Sequence, residues 1–137
     1  MIDFSKIEQY RENNRIEAKK ALGGLPKSIW ETYSAFANTY GGTSLLGIVE
    51  HLKEIDLQKR VQIVGVEDSR KIFTDFWNTI NSNKVNENIL SDSDVEVINV
   101  DGKEVVCIHV PQADWSIKPI FLNNDIYKGT FRRNHEG

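Results

Sequence analysis

Cysteine, long apolar runs and an excess of one charge are what this chain of 137 residues has least of. Its lone Cys107 can form neither an internal disulfide nor a cysteine-built zinc site within one chain, which agrees with a reducing compartment. No apolar stretch approaches the roughly 20 residues that a membrane-spanning helix needs. The N-terminal MIDFSKIEQYREN lacks the basic, then apolar, then small-residue layout of a secretory leader, so a cytoplasmic location is expected. The formal net charge is only −3, so any surface that attracts a polyanion must be local. Internal repeats and low-complexity segments are missing as well. What is present suffices for a core: 39% hydrophobic residues, including three Trp and six Phe, lead us to expect one domain over residues 1–137.

The stretch from Trp30 to Glu50 carries most of the structural information. Ile29, Trp30, Tyr33, Phe36, Ala37 and Tyr40 recur at the spacing of one helix face, with Pro26 suited to the first turn. Gly41 and Gly42 can adopt the positive φ that ends a helix. Leu45, Leu46, Ile48 and Val49 around Gly47 then read as one buried strand, with Glu50 emerging from the core.

Elsewhere, residues 3–13 suit a short helix capped by Asp3 or Ser5, with Phe4, Ile7 and Tyr10 on its apolar side. Ile16 to Leu22 reads as a strand, HLKEIDLQKR as a polar connection, and Val61 to Val66 as a returning strand. Asp68 or Ser69 caps a second amphipathic helix with Ile72, Phe73, Phe76, Trp77 and Ile80 inward. Val95–Val100 and Glu104–Val110 form a hairpin through Asp101-Gly102, which tolerates the positive φ of a tight turn, and Pro111 ends it. Ile120–Leu122 and Ile126–Arg132 suggest another hairpin around Asn123-Asn124-Asp125. Strands in hairpins, interrupted by two helices, predict an α+β fold: a mixed, largely antiparallel sheet packed by two main helices.

The wording AFANTYGGTSLLGI followed by an acidic residue resembles the Schlafen-type AlbA-like (divergent AAA) domain. ENNRIEAK matches that family's E-x4-E-x-K pattern through Glu12, Glu17 and Lys19, and IYKGTFRRNHEG resembles its closing strand. The resemblance runs from about Glu12 to Gly137, the middle of the chain matching only in its order of elements. It implies a nucleic-acid-binding module of the kind found in bacterial transcriptional regulators and vertebrate Schlafen proteins. In the family the closing strand is commonly followed by more protein, so an N-terminal domain of a longer regulator is expected.

Three functions compete. For binding DNA or RNA, Lys19, Lys20, Lys128, Arg132 and Arg133 are the candidate phosphate contacts, with Lys27 flanking the first helix and Tyr127 and Phe131 available to stack on bases. Alternation along a strand would put Lys128 and Arg132 on one face and Arg133 on the other. A basic edge strand that only resists aggregation is the plainer account.

For a metal-dependent endoribonuclease, the resemblance implies Glu12, Glu17 and Glu50 as catalytic acids and metal ligands. Three carboxylates could hold magnesium or manganese, with Lys19 at the scissile phosphate. Ala18 stands where the family prefers a bulky residue and Glu50 where Asp is usual, and Glu12 and Glu17 share a face only if the chain bends between them. The plainer account pairs Glu17 with Lys19 or Lys20, and Glu12 with Arg15 or Arg11, as solvated charge. The third function is a protein-interaction module, with a homodimer among its forms.

ATP binding is not expected of the Gly42–Gly47 turn. Ile48-Val49 stand where a P-loop needs Lys and Ser or Thr, and the turn joins a helix to a strand rather than a strand to a helix. Cys107 and His109 share a strand face but lack a third ligand or paired base, so a buried thiol and a structural imidazole are expected. Trp30, Trp77 and Trp115 read as core rather than as cofactor stackers, although the loop QADWSIKP that holds Trp115 leaves it open to exposure.

Overall fold

The computed structural model describes residues 15–51, 53–55 and 60–133. The helix expected over residues 3–13, Glu12 and His135 lie outside the described residues. The elements are β1 (Ile16–Lys19), α1 (Ile29–Asn38), β2 (Gly42–Leu46), β3 (Ile48–Glu50), β4 (Val61–Ile63), α2 (Ser69–Ile80), β5 (Val95–Val100) and β6 (Lys103–Val110). One sheet has the order β1-β2-β6-β5, with β1 parallel to β2 and the other pairs antiparallel. A second, two-stranded sheet pairs β3 with β4. The fold is α+β, as the pattern of elements predicts.

Period-two alternation divides the core between the two faces of the larger sheet. On one face, Leu46, Val106, Ile108 and Val110 join a buried cluster with Trp30, Phe36, Ile72 and Phe76 from the helices. Trp30 and Phe76 stack with centroids 5.0 Å apart, which joins α1 to α2. On the other face, Ile16, Leu45, Val105 and Cys107 form a separate cluster with Ile48, and Val61 and Ile63 pack against it. Among the described residues no helix is long and apolar enough to cross a membrane.

Several expectations meet local corrections. The run Leu45 to Val49 is not one strand, because Gly47 adopts φ +102 and turns the chain from the larger sheet into the smaller. Its N–H donates to the Lys19 carbonyl at 2.8 Å, and its own carbonyl accepts from the Val64 and Gly65 amides at 2.9 Å. Tyr40 is not on the buried helix face: α1 ends at Asn38, and Tyr40 is 68% exposed. Pro26 precedes α1, its carbonyl accepting from the Ile29 amide in the turn before the helix. The first strand stops at Lys19 and the strand after Arg60 at Ile63, both shorter than their apolar patterns suggest.

Asp68 is the N-cap of α2, its carboxylate accepting from the Lys71 amide at 3.1 Å. The inner stripe of that helix narrows to Ile72, Phe76 and Ile80, with Phe73 and Trp77 edge-to-face beside it. The Asp101-Gly102 hairpin forms as expected, both residues at positive φ. The second expected hairpin forms no ladder. Within residues 120–131 it is reduced to the single antiparallel bridge between Phe121 and Thr130, with the Leu122 amide donating to the Gly129 carbonyl at 2.9 Å; Leu122 also bridges Val85, and α1 side chains supply further hydrogen bonds.

Gly41 takes the positive φ that the helix end requires, at +76. Gly42 is needed for space: a Cβ there would come within 2.8 Å of Phe36 Cζ and closer still to Cδ1 and Cε1. Gly42→Ala is expected to cost about 1–3 kcal/mol by overpacking. A thermal-unfolding double-mutant cycle with Phe36→Leu should show the two changes coupled, because a smaller side chain relieves the clash.

Candidate functional site

The chain after β6 is organised by two polar residues on the buried side of α1. Ser34 and Asn38 are one helical turn apart and 0% and 7% exposed, among apolar neighbours. The Asn38 amide Nδ2 donates to the carbonyls of Ile120 at 2.9 Å and Phe131 at 3.0 Å, and its Oδ1 accepts from the Ile120 amide at 2.7 Å. The Ser34 hydroxyl donates to the Ile120 carbonyl at 2.7 Å and accepts from the Phe131 amide at 3.0 Å. These side chains stand where a neighbouring strand would otherwise supply partners, which is why residues 120–131 need no full ladder.

At the next residue, the C-cap of α1, the Thr39 hydroxyl accepts from the Arg133 amide at 3.0 Å. The Arg133 side chain is thereby laid across Phe36, its guanidinium carbon 4.8 Å from the ring centroid. Its Nη1 then reaches Glu17 Oε2 at 3.3 Å. Lys19 Nζ lies 3.9 Å from the other Glu17 oxygen and donates to Ser28 Oγ at 3.1 Å. The structure therefore brings Glu17, Lys19 and Arg133 into one cluster on the helix side of β1. Both cationic side chains are only 13% exposed, against 34% for Glu17, so the cluster is partly desolvated and its charges hold one another. The pairing of Glu17 with Lys19 is the one expected of it as ordinary charge, and Arg133 is an additional partner.

The other candidates lie apart from that cluster. Lys20, Lys27, Lys128 and Arg132 are exposed. Tyr127, at 94% exposure, stands in the loop between Leu122 and Gly129, where Asp125 Oδ1 accepts from the amides of Tyr127 and Lys128. Arg132 points outward while Arg133 turns inward, an opposition that strand alternation anticipates although this segment is not a regular strand. Phe131 is packed against the helix-side core rather than presented to solvent.

Glu50 ends β3, opposite Val61, with Oε2 shielded from solvent. Among the described residues no group of three His, Cys, Asp or Glu side chains is placed to hold a metal ion. Glu12 is outside that set, so the complete trio is not described. His109 is engaged on both ring nitrogens, by Thr43 Oγ1 and by Glu96 Oε2, each at 3.1 Å. Burial pushes the Cys107 thiol up to about 12, with the Glu96 carboxylate adding to the shift.

The sequence reading missed Ser34, Asn38 and Thr39 as positioning residues. Their signal is present, since hydroxyl and amide residues four apart on a helix face that is otherwise apolar must find buried partners.

These features define a small α+β domain in which a mixed sheet carries both helices on one face and a charged cluster at its parallel edge. The chain belongs to the family described as Schlafen, AlbA_2, whose model matches residues 12–136. A solved structure similar to it is the solution structure of the N-terminal domain of a RecG-related protein from Nitrosomonas europaea, provisionally named an ATP-dependent DNA helicase. The two are 29% identical, with a TM-score of 0.69 over 95% of this chain and 84% of that one. A crystal structure of the DIP2311 protein from Corynebacterium diphtheriae is 20% identical with a TM-score of 0.48, covering 89% of this chain but 24% of that one. No functionally curated protein matches the chain.

Two outcomes follow from this geometry. Asn38→Ala leaves the Ile120 amide and the Phe131 carbonyl without their side-chain partner, while the Ile120 carbonyl keeps Ser34, and should cost about 2–4 kcal/mol in urea unfolding. Hydrogen exchange at the Ile120 amide should accelerate in the same variant. With its proton held by burial, Cys107 should be inert to thiol reagents at pH 8 in the native protein and react fully in denaturant, as a colorimetric thiol titration would show.

Proposed function

We propose that this domain binds nucleic acid through its exposed cationic and aromatic residues, as a module of a cytoplasmic transcriptional regulator. The observation that carries the proposal is the fixed terminal segment. Ser34, Asn38 and Thr39 hold residues 120–133 in place, and that segment exposes Tyr127, Lys128 and Arg132. Exposed cations suit phosphates and an exposed ring suits a base face. Membership of the Schlafen, AlbA_2 family and the likeness to a domain of a protein named as a DNA helicase support the same choice.

Within this reading, Lys20, Lys128 and Arg132 make the direct phosphate contacts. Lys19 and Arg133 act mainly by positioning, because Glu17 already engages both. Their charge still adds to the local potential, but their exchange onto a phosphate would expose the Glu17 carboxylate to it.

The test is retention of labelled single-stranded RNA, tRNA and duplex DNA over a range of salt, with manganese or with a chelator. Lys128→Ala with Arg132→Ala should weaken binding about 10- to 30-fold near 0.15 M salt and lower the salt slope by roughly 2 on duplex DNA. Manganese-dependent cleavage that is lost in Glu17→Gln while retention persists would assign the nuclease of Glu12, Glu17 and Glu50 instead. A protein that retains no nucleic acid and elutes as a dimer would be an interaction module.

A further inference from the structure

A groove of about 610 Å³ opens between the turn that leads from β1 into α1 and the outer side of α2. Its volume is on the scale of small-ligand sites, roughly 300–1,000 Å³. Gly23 to Lys27 form one wall, and Lys71, Asp75, Asn78 and Thr79 of α2 form the other. Trp30, 4% exposed, and Lys84, which follows α2, complete the lining.

The lining sets three ammonium groups against one carboxylate. Asp75 takes up the charge of Lys71 through a bond of 2.8 Å, along one side of α2. Lys84 donates to the neutral Asn123 Oδ1 at 3.1 Å, which fixes its position and leaves its charge uncompensated by that bond. Lys27, on the turn before α1, is exposed and lines the same groove. Two cations therefore face one cleft from separate elements, with an amide and a hydroxyl beside them.

We infer that this groove seats a phosphate group, belonging either to a free nucleotide or to a nucleic-acid strand, between Lys27 and Lys84. A multiply charged tetrahedral group suits ammoniums that approach from different sides, since each is a rotatable point charge rather than a planar fork. Asn78 and Thr79 offer hydrogen bonds to the sugar or base that accompanies it. The bond from Lys84 to Asn123 joins the groove to the loop that exposes Tyr127 and Lys128, so a strand held there could continue into the groove. The strand form of the inference rests on the nucleic-acid function proposed above, and the free-nucleotide form does not.

The experiment is a titration of the isotope-labelled chain with AMP and, separately, with a short 5′-phosphorylated single-stranded RNA, followed by amide chemical shifts. The amides of Gly23, Gly24 and Thr79 should move with at least one probe. Lys27→Gln with Lys84→Gln should weaken that response roughly 10-fold or more while the spectrum otherwise stays dispersed. Movement with AMP supports a free nucleotide, and movement with RNA alone supports a strand. RNA that shifts Tyr127, Lys128 and Arg132, with the groove amides still in both titrations, would overturn the groove and spare the proposed function. AMP that shifts the groove while RNA binds nowhere would support the groove and overturn that function. Silence of the groove amides with both probes, or a response that survives the double substitution, would overturn the inference.

Discussion

A buried backbone must have its hydrogen bonds met, and in this protein a helix meets part of them for a segment whose strand pairing is limited to isolated bridges. Ser34 and Asn38 together bind the Ile120 and Phe131 peptide groups. An unpaired buried peptide group costs about as much as a typical single mutation, so the placement of the terminal segment depends strongly on these two side chains. The dependence runs both ways. Asn38 and Ser34 would themselves be stranded polar groups if residues 120–131 left α1. Packing of the segment and burial of that side of the helix therefore form one cooperative unit.

That unit decides which charges are available. Thr39 continues the series by fixing the Arg133 backbone, and the Arg133 side chain then has Phe36 beneath it and Glu17 beside it. An arginine so placed is ordered before any ligand arrives. Arg132, its neighbour, is left to solvent by the same constraint. The division between a positioned inner cation and an accessible outer one follows from backbone direction, not from the chemistry of the two side chains. Lys19 and Lys20 divide in the same way at β1, where Lys19 is held by Ser28 and Glu17 and Lys20 is exposed.

Much of the fold was legible because periodicity reports burial. The stripe on α2, the Asp101-Gly102 turn and the helix end at Gly41 were all readable from spacing and turn chemistry. The break at Gly47 was not, because an apolar run looks alike whether its two halves enter one sheet or two. The second hairpin shrank to a single bridge for a related reason. Alternation and turn residues suggest a ladder, but they cannot reveal that helix side chains will satisfy the backbone instead. At the site, the motif residues Glu17 and Lys19 were legible through family resemblance. Their engagement by Arg133, more than a hundred residues away in the chain, was not, since no local rule links such distant positions. The three lysines of the groove come from three separate elements and form no pattern in the sequence.

Because β2 alternates between two cores, adjacent residues answer to different neighbours. Leu45 belongs with Val105, Cys107 and Ile48 under the sheet, whereas Leu46 belongs with Val106, Ile72 and Phe76 on the helix side. Evolution can therefore redesign one layer while leaving the other untouched. A change of volume at Leu45 should find its compensation among β3, β6 and β1, and one at Leu46 among the helices. Lineages of this domain would then record two independent histories of repacking, interleaved residue by residue along one short strand.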